Sequence, residues 1–251
     1  MSKVYFIGAG PGDPELITVK GRKLLNSADV VIYAGSLVNP ELLKGLKAAV
    51  YSSASMTLDE TTEIIRKSVE SGKKVARLHT GDTSFYSAIS EQIEKLRELN
   101  IEYEVIPGVS SAMAGAAILG QELTIPEISQ TVIFTRIEGK TPVPETEKLS
   151  ELAKHKTTMV IFLSVGMIEE VKAELLQGYS EDTPVVIIEK ATWKEQKVVR
   201  GQLKDIVMLV KDAGIKKTAF IYVGESLRAS EKSLGKESKL YHRDFKHGYR
   251  K

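Results

Sequence analysis

The chain has 251 residues, of which 42% are hydrophobic and 27% are charged, and it contains no cysteine. This composition is typical of a globular protein and excludes a disordered or fibrous class. The formal net charge of +2 gives no reason to expect nucleic acid as a partner, because a basic patch should dominate a domain that binds it. Without cysteine there is no disulfide framework, thiolate nucleophile or cysteine-ligated metal.

The start of the chain does not resemble a targeting segment. The apolar run after Met1-Ser2-Lys3 reaches Gly8 at once and is too short for the apolar region of a signal peptide. No run approaches the roughly 18 apolar residues of a spanning helix. We therefore expect a cytoplasmic protein with no membrane partner. The four histidines are scattered along the chain, so we expect no metal site on the protein.

Short β-branched runs alternate with helical segments through the first half of the chain. The runs are VYFIG from Val4, DVVIYA from Asp29, KVARLHTGD from Lys74 and YEVIPG from Tyr103. Alternation of this kind predicts βαβ units and a parallel sheet.

Local signals place helices between these strands. Thr57 and Glu60 have the spacing of a capping box, which predicts a helix that begins there. A second helix is predicted from residues at spacings of three and four, namely Tyr86, Ile89, Ile93 and Leu96. The segment GVSSAMAGAAILG, residues 108–120, predicts a helix of small side chains that allows close backbone approach to a sheet or a partner.

The pattern restarts in the second half. The runs TVIFTR, TTMVIFLS, PVVIIEKATW and TAFIYVGES are separated by further helical segments, which predicts another α/β unit. Pro126 interrupts the pattern near the change. We predict an α/β protein of two domains, residues 1–122 and 123–251.

The glycine-rich stretch GAGPGD, residues 8–13, invites a dinucleotide-binding interpretation. That fingerprint needs G-x-G-x-x-G at the start of a helix, and Asp13 stands where the third glycine should be. Pro11 and Pro14 also remove two backbone donors that phosphate would need. With Asp13 as a predicted N-cap and Pro14 at the first helical position, the helix end is satisfied by the chain's own carboxylate.

A turn of this kind can still let the backbone approach a neutral or cationic ligand closely, because glycine imposes no side chain. S-adenosylmethionine has no phosphate and carries a sulfonium, so it fits. A tight turn with no ligand fits this loop equally well. Two further stretches, HTGD at residues 79–82 and PGVSSA at residues 107–112, each follow a predicted strand. Ligands of open parallel sheets bind outside the carboxyl ends of the strands, so the three loops are expected to converge on one crevice.

These motifs resemble those of the tetrapyrrole (corrin/porphyrin) methylases, the class III S-adenosylmethionine-dependent methyltransferases. GAGPGDPELIT, ADVVIYAGSLV, LHTGD and VIPGVSSA match in order over the first half. TRIEGKTPVPE, EDTPVVIIEKATW and the terminal HGYRK extend the likeness over the chain and are similar to the branch that methylates C11 of precorrin-4 or cobalt-precorrin-4. The resemblance implies a homodimer of two-domain subunits with the cofactor in a cleft between the domains.

The resemblance also implies which residues contact S-adenosylmethionine. Its cofactor positions correspond to Pro11, Gly81, Asp82, Phe85, Ser110, Ser111, Ser164, Ala191 and Ala219. For Asp82 the alternative is a helix N-cap before Ser84. Family members that methylate uroporphyrinogen carry an aspartate after the strand tyrosine, but Ala34 and Gly35 occupy that place here. No catalytic base is therefore assigned.

A tetrapyrrole substrate carries many carboxylates, which need basic partners, and arginine pairs with them best. Arg77, His79 and Arg136 lie beside the predicted ligand loops and are the candidates, each with a surface ion pair as the alternative. His79 could instead be a packed histidine at a strand end. For Lys140 a surface ion pair is the preferred interpretation, and the basic, aromatic tail from Leu240 is expected to be solvated.

Three rival functions stay open. One is a methylase acting on another ring carbon of the same pathway. Another is a nicotinamide-dependent oxidoreductase, which Asp13 and the two neighbouring prolines disfavour. The third is a module that binds the tetrapyrrole without catalysis and without affinity for S-adenosylmethionine.

Overall fold

The computed structural model describes residues 3–230, 235, 238, 242–246 and 248–249. Within them the chain forms two compact units, the first comprising residues through Gly115 together with Lys190–Glu195. The second comprises Ala116–Glu189 and the residues from Gln196 onward. Residues 190–195 thus belong to the first unit, although they follow a strand of the second. Residues 247, 250 and 251 of the terminal HGYRK motif lie outside the described residues.

The first unit contains a five-stranded parallel sheet in the order β3-β2-β4-β1-β5. The strands are β1 Val4–Gly8, β2 Val30–Tyr33, β3 Ala49–Ser52, β4 Val75–His79 and β5 Tyr103–Ile106. Gly8 pairs with His79, and Ile7 pairs with Ile106. The loops that follow β4, β1 and β5 therefore start at the same level of the sheet.

Helices cover both faces of this sheet. They are α1 Val19–Asn26, α2 Leu58–Glu70, α3 Ile89–Glu98 and α4 Ser111–Leu119. Leu25 of α1 packs with Ile7 and Leu78 on one face, whereas Ile65 of α2 and Leu96 of α3 pack on the other. The chain after β1 and the chain after β4 thus turn to opposite faces, the arrangement that opens a ligand crevice in parallel sheets.

The capping signals of the sequence are partly confirmed. The Thr57 side chain accepts from the Glu60 N–H and the Glu60 carboxylate accepts from the Thr57 N–H, so the predicted capping box is formed. The Asp13 side chain accepts from the Glu15 N–H, but it caps only the short 3-10 turn Pro14–Leu16. The next helix, α1, has its own cap at Thr18.

The second unit contains a mixed five-stranded sheet in the order β6-β7-β10-β8-β9. Its strands are β6 Val132–Thr135, β7 Thr158–Ile161, β8 Pro184–Glu189, β9 Lys197–Gln202 and β10 Ala219–Val223. Only β6 and β7 are parallel, and the other pairs are antiparallel. The helices α5 Leu149–Ala153, α6 Ile168–Leu175 and α7 Ile206–Asp212 bury their apolar sides against Ile161, Ile187 and Ile221.

Some sequence expectations were wrong in detail. Tyr86 was placed on the helix of Ile89 and Leu96, but it lies before α3 with a left-handed φ of 53°. The edge strands β3 and β9 were not predicted, since each is largely exposed and lacks the apolar run of a buried strand. No helix among the described residues is long and apolar enough to cross a bilayer.

Candidate functional site

Three loops of the first unit meet backbone to backbone at the carboxyl edge of its sheet. They follow β1, β4 and β5, and each contributes one glycine to the meeting point. A Cβ on Gly8 would lie 2.6 Å from Gly108 Cα and 2.8 Å from the Gly81 carbonyl oxygen, and a Cβ on Gly108 would overlap that oxygen. Gly10 and Gly81 also exchange two hydrogen bonds of 3.2 and 2.8 Å. Positions 8 and 108 require glycine because the backbones approach too closely there for any side chain, whereas Gly81 has room for a Cβ but a left-handed φ of 63°.

Asp82 connects two of these loops. Its Oδ2 accepts from the Gly108 N–H at 2.7 Å, and its Oδ1 accepts from the Ser84 N–H at 2.8 Å. The first bond spans the loops after β4 and β5, and the second shapes the loop after β4. The bond to Ser84 closes a turn and not the expected helix N-cap, because no helix begins here and α3 starts at Ile89. The bond to Gly108 is an additional role that the sequence did not indicate. Both carboxylate oxygens are thus engaged by backbone donors.

The first loop is held by side chains from elsewhere in the unit. The Asn39 amide donates to the Gly12 carbonyl at 2.8 Å, and the Thr192 hydroxyl accepts from the Asp13 N–H at 2.8 Å. The Trp193 indole donates to the Pro11 carbonyl at 3.0 Å. Pro11 is buried in this arrangement. These partners keep the loop in one conformation although it has two prolines and little hydrogen bonding of its own.

The remaining predicted cofactor residues of the first unit lie on these loops or beside them. Ser110, which is buried, accepts from the Ala112 N–H and precedes α4, whose first residue is Ser111. Phe85 is half-buried, and its carbonyl accepts from the Ser87 hydroxyl. Ala191 is buried, and its carbonyl oxygen would lie 2.9 Å from a Cβ on Gly12. The fold of the first unit therefore brings Pro11, Gly81, Asp82, Ser110, Ser111 and Ala191 onto connected segments.

Arg77 is buried in β4, and no acidic side chain among residues 3–230 pairs with it. Its Nε donates to the Gln92 side chain at 3.0 Å, and Nη1 reaches the carbonyls of Ile32 and Leu78 at 3.4 and 3.5 Å. Nη2 has no partner in the part of the chain that the structure describes. Burial lowers the pKa of Arg77 to about 10, so the guanidinium stays charged at neutral pH. It borders a cavity of about 160 Å³ together with Ser53, Thr57, Thr61 and Gln92.

His79, at the end of β4, is also buried, with its ring centroid 6.0 Å from that of Phe6. Burial, reinforced by the charge of Arg77, lowers the pKa of His79 to about 3, so the imidazole is neutral. Its Nε2 and the Thr83 hydroxyl have no hydrogen-bond partner among the described residues. Buried polar atoms without partners are unusual and cluster at functional sites. The packed histidine of the alternative interpretation is therefore present, but one of its nitrogens is left unsatisfied.

Ser164, Ala219 and Arg136 lie in the second unit. The buried Ser164 hydroxyl accepts from the Ile137 N–H at 2.9 Å and donates to the Phe162 carbonyl at 2.6 Å. Ala219 is the first residue of β10 and is buried. The Arg136 guanidinium donates to three carbonyls of its own loop, those of Ile137, Thr141 and Pro142. These three residues are fixed within the second unit by local contacts.

The residues of the first unit fit an adenosyl sulfonium better than a pyrophosphate. The three loops, residues 9–13, 80–88 and 107–111, contain neither Lys nor Arg, so they supply no charge to neutralise phosphate. They offer backbone groups, the hydroxyls of Ser110 and Ser111, and the unsatisfied Thr83 hydroxyl. Among the described residues no group of three or more His, Asp and Glu is placed to hold a metal ion.

Sequence reasoning missed the side chains that support the first loop. Asn39 and Trp193 lie 27 and 182 positions from their acceptors, and local patterns cannot reveal such pairs. The one signal in the sequence was Trp193 itself, an aromatic residue directly after Ala191 and Thr192 in a segment that resembled the family. Leu163 was also missed. It is 68% exposed and has a left-handed φ of 55°, which is a strained conformation for a bulky residue beside Ser164.

Comparison with known proteins agrees with this arrangement. The family model of the tetrapyrrole (corrin/porphyrin) methylases matches residues 3–207, and the chain therefore belongs to that family. It is 56% identical to a cobalt-precorrin-4 C(11)-methyltransferase of Methanocaldococcus jannaschii over 252 residues, covering 99% of this chain and 96% of the relative.

Solved structures are similar over most of their length. The X-ray structure of a cobalamin biosynthetic enzyme, the cobalt precorrin-4 methyltransferase CbiF, has a TM-score of 0.88 and 50% identity, covering 90% of this chain and 95% of the other. A uroporphyrin-III C-methyltransferase from Thermus thermophilus complexed with S-adenosylhomocysteine has a TM-score of 0.77 and 25% identity, covering 91% and 100%. The α/β fold of two sheets with covering helices, expected from the sequence, is confirmed.

Proposed function

We propose that this chain transfers the methyl group of S-adenosylmethionine to C11 of cobalt-precorrin-4, as a C-methyltransferase of cobalamin biosynthesis. The observation that carries the proposal is the 56% identity over 99% of the chain to a relative of that activity. The loops support it independently, because they lack the basic residues and the glycine spacing that a nicotinamide dinucleotide would need.

The cofactor supplies an electrophilic methyl group on a sulfonium. Transfer to carbon breaks the S–CH₃ bond and forms a C–CH₃ bond in one in-line displacement, so the protein must mainly fix geometry and exclude water. In the proposal Pro11, Gly81, Phe85, Ser110, Ser111, Ser164, Ala191 and Ala219 contact the cofactor. Asp82 holds the loops after β4 and β5 in register through its two backbone bonds.

No side chain is proposed as a catalytic base. Ala34 and Gly35 occupy the position where uroporphyrinogen-methylating members have an aspartate, and a Cβ on Gly35 would lie 2.7 Å from the Ala54 Cβ. The electron-rich carbon of a reduced tetrapyrrole is already nucleophilic, and the positive charge it acquires can delocalise over the ring. The absence of a carboxylate at this position is consistent with such a substrate.

The carboxylates of the substrate are proposed to meet Arg136, His79 and Arg77. Arg136 orders its loop and contributes a charge there, and Arg77 lines a cavity and has an Nη2 without a partner among the described residues. His79 is neutral and can contribute a hydrogen bond through its unsatisfied Nε2.

We further propose a homodimer, supported by the family resemblance, and a cytoplasmic location, where S-adenosylmethionine is available. Light scattering of the purified protein and imaging of the tagged chain test these two points.

The test of the function is a titration with S-adenosylhomocysteine and, as a control, NADH, followed by an assay. S-adenosylhomocysteine alone should bind. The assay offers cobalt-precorrin-4 and metal-free precorrin-4 with ¹³C-methyl S-adenosylmethionine, and the label should appear at C11 of the cobalt form. Label at another carbon would favour a different methylase of the pathway, and binding of NADH alone would favour an oxidoreductase. Tetrapyrrole binding without cofactor binding would indicate a non-catalytic module.

A further inference from the structure

A short segment from the second half of the sequence contacts the first loop. Between β8 and β9, residues 190–195 belong to the first unit, and three consecutive residues of this segment, Ala191, Thr192 and Trp193, contact residues 11–13. We name these three residues the clasp. Its indole and hydroxyl groups form one hydrogen bond each with the first loop, to the carbonyl of Pro11 and from the N–H of Asp13.

The clasp packs tightly against Gly12. A Cβ on Gly12 would overlap the Trp193 ring, and the Ala191 carbonyl oxygen would be 2.9 Å from it. The indole therefore occupies the space that a side chain at position 12 would take. The contact between the Trp193 ring and Gly12 and the hydrogen bond from the indole to the Pro11 carbonyl together fix the position and the orientation of the peptide groups on either side of Gly12.

The clasp is held in a strained conformation. Thr192 has φ of 68°, and a β-branched residue in the left-handed region is a clear outlier. Lys190, which directly precedes the clasp, has φ of 48°. Such conformations are costly and persist only where the surrounding structure determines them. Strain of this kind concentrates at ligand sites, and here it aims the Thr192 hydroxyl at the Asp13 N–H.

The first loop depends on this support. Gly10 is bonded to Gly81, but Pro11 and Pro14 have no N–H, so residues 11–14 make few backbone bonds of their own. Among the described residues, the side chains that bond to this loop are the Asn39 amide, which donates to the Gly12 carbonyl, and those of the clasp. A loop that is ordered before binding does not have to be ordered by the ligand, which increases affinity.

We propose that Trp193 and Thr192 are positioning residues for the cofactor: they hold the Pro11–Asp13 loop in its binding conformation without taking part in methyl transfer. This inference rests on the proposed function. The two side chains increase the affinity for the cofactor. They do not affect the affinity for the tetrapyrrole or the rate of methyl transfer.

The protein contains a reporter for this role, because Trp193 is its single tryptophan. Its indole N–H lies on the loop that is proposed to contact the cofactor. Titration with S-adenosylhomocysteine should therefore change the intensity or the emission maximum of the protein's tryptophan fluorescence, and the midpoint should match the Kd from calorimetry.

The decisive comparison uses conservative variants. Trp193→Phe keeps a ring over Gly12 but removes the indole donor, and Thr192→Val keeps the β-branched shape but removes the hydroxyl. Each should raise the Kd for S-adenosylhomocysteine and the KM for S-adenosylmethionine by about tenfold, the equivalent of one lost hydrogen bond. The KM for the tetrapyrrole and kcat should change less than about twofold. Thr192→Ser should restore wild-type values, and Glu195→Ala, an exposed change in the same segment, is the matched control.

The outcomes separate this inference from the function on which it rests. If wild-type protein does not bind S-adenosylhomocysteine, the proposed function fails and the inference fails with it. If wild-type protein binds but the two variants, folded by circular dichroism, bind equally well, only the positioning role is wrong. Equal increases in both KM values would likewise overturn it, since they would indicate a general structural effect. If Trp193→Phe does not fold, Thr192→Val and Thr192→Ser decide the question with the same readouts.

Discussion

The two sheets hold their strand ends in different ways. In the first sheet β4, β1 and β5 are parallel neighbours, so three loops leave the same edge and meet through Gly8, Gly81 and Gly108. In the second sheet most neighbouring strands are antiparallel, and the loop after β6 is fixed by side chains, chiefly those of Ser164 and Arg136. The edge of a parallel sheet brings the backbone of several loops to one place. Added side-chain volume is tolerated less there than at the edge of the second sheet.

The largest effect is expected where volume is added at that edge. Gly108→Ala would place a Cβ on the Gly81 carbonyl oxygen and near the Cα and the carbonyl carbon of Gly8, and all three neighbours are backbone atoms that cannot rotate away. We expect a loss of about 3 kcal/mol or more in the free energy of unfolding, with cofactor binding abolished in any folded fraction. Denaturant unfolding and calorimetric titration measure the two effects.

The matched control is Gly166→Ala, in the turn Val165–Met167 that follows β7 in the second unit. A Cβ there would have its nearest neighbour, the Lys216 carbonyl oxygen, at an ordinary 3.8 Å, and Gly166 lies in a short helical turn. Stability should stay within about 0.5 kcal/mol of wild type. Equal losses in the two variants would contradict the contrast between the two edges.

The next effect concerns the carboxylate that joins the loops after β4 and β5. Asp82→Ala removes the acceptor of two backbone donors, Gly108 N–H and Ser84 N–H, and should cost about 2 kcal/mol of stability. Affinity for S-adenosylhomocysteine should fall as well, because the loops lose their register. Asp82→Asn keeps one acceptor oxygen and should lie between the alanine variant and wild type in both measurements. An alanine variant with unchanged cofactor affinity would show that Asp82 only shapes the loop.

Much of this sheet edge could be predicted from the sequence, but the hydrogen bonds that connect its loops could not. Four strands of the first sheet and the Thr57 capping box follow from local patterns, because hydrophobic periodicity and caps are properties of neighbouring residues. Asp82 was singled out, yet its bond to Gly108 joins residues 26 positions apart. Tyr86 fitted the helical spacing of α3, but tertiary structure holds it in the left-handed region instead.

The buried imidazole of His79 in β4 makes the stability of the protein depend on pH. Because burial lowers the folded pKa of His79 to about 3 from an ordinary 6.5, the unfolded chain binds a proton that the folded chain excludes. The stability from neutral His79 is present above about pH 6.5 and is lost as pH falls toward 3. Between pH 7 and pH 5 this amounts to about 2 kcal/mol.

Denaturant unfolding of wild type and His79→Gln at several pH values tests this. The variant is expected to be less stable than wild type at pH 7, but its stability should fall less steeply between pH 7 and pH 5, by about 2 kcal/mol. A His79→Gln variant with the full wild-type slope would mean that His79 titrates normally in the folded protein.

The smallest effect on stability is expected in the second unit, at Arg136. Its guanidinium bonds are made to carbonyls of its own loop, so Arg136→Ala should cost less than about 1 kcal/mol in the free energy of unfolding. The KM for the tetrapyrrole should nevertheless rise several-fold while the KM for S-adenosylmethionine stays near wild type, the converse of the clasp variants. Steady-state kinetics with each substrate varied in turn measure this.

Arg136→Lys distinguishes the charge of this side chain from its shape. An ammonium group keeps the charge, but it cannot reproduce the planar fork that reaches Ile137, Thr141 and Pro142 together. If the loop's conformation determines substrate binding, the lysine variant should have nearly the KM of the alanine variant. Full recovery by lysine would mean that the substrate needs only a positive charge. In that case substrate binding would not depend on the hydrogen bonds within the loop after β6. The glycine contacts at the edge of the first sheet would then be the part of the site where a fixed backbone is needed.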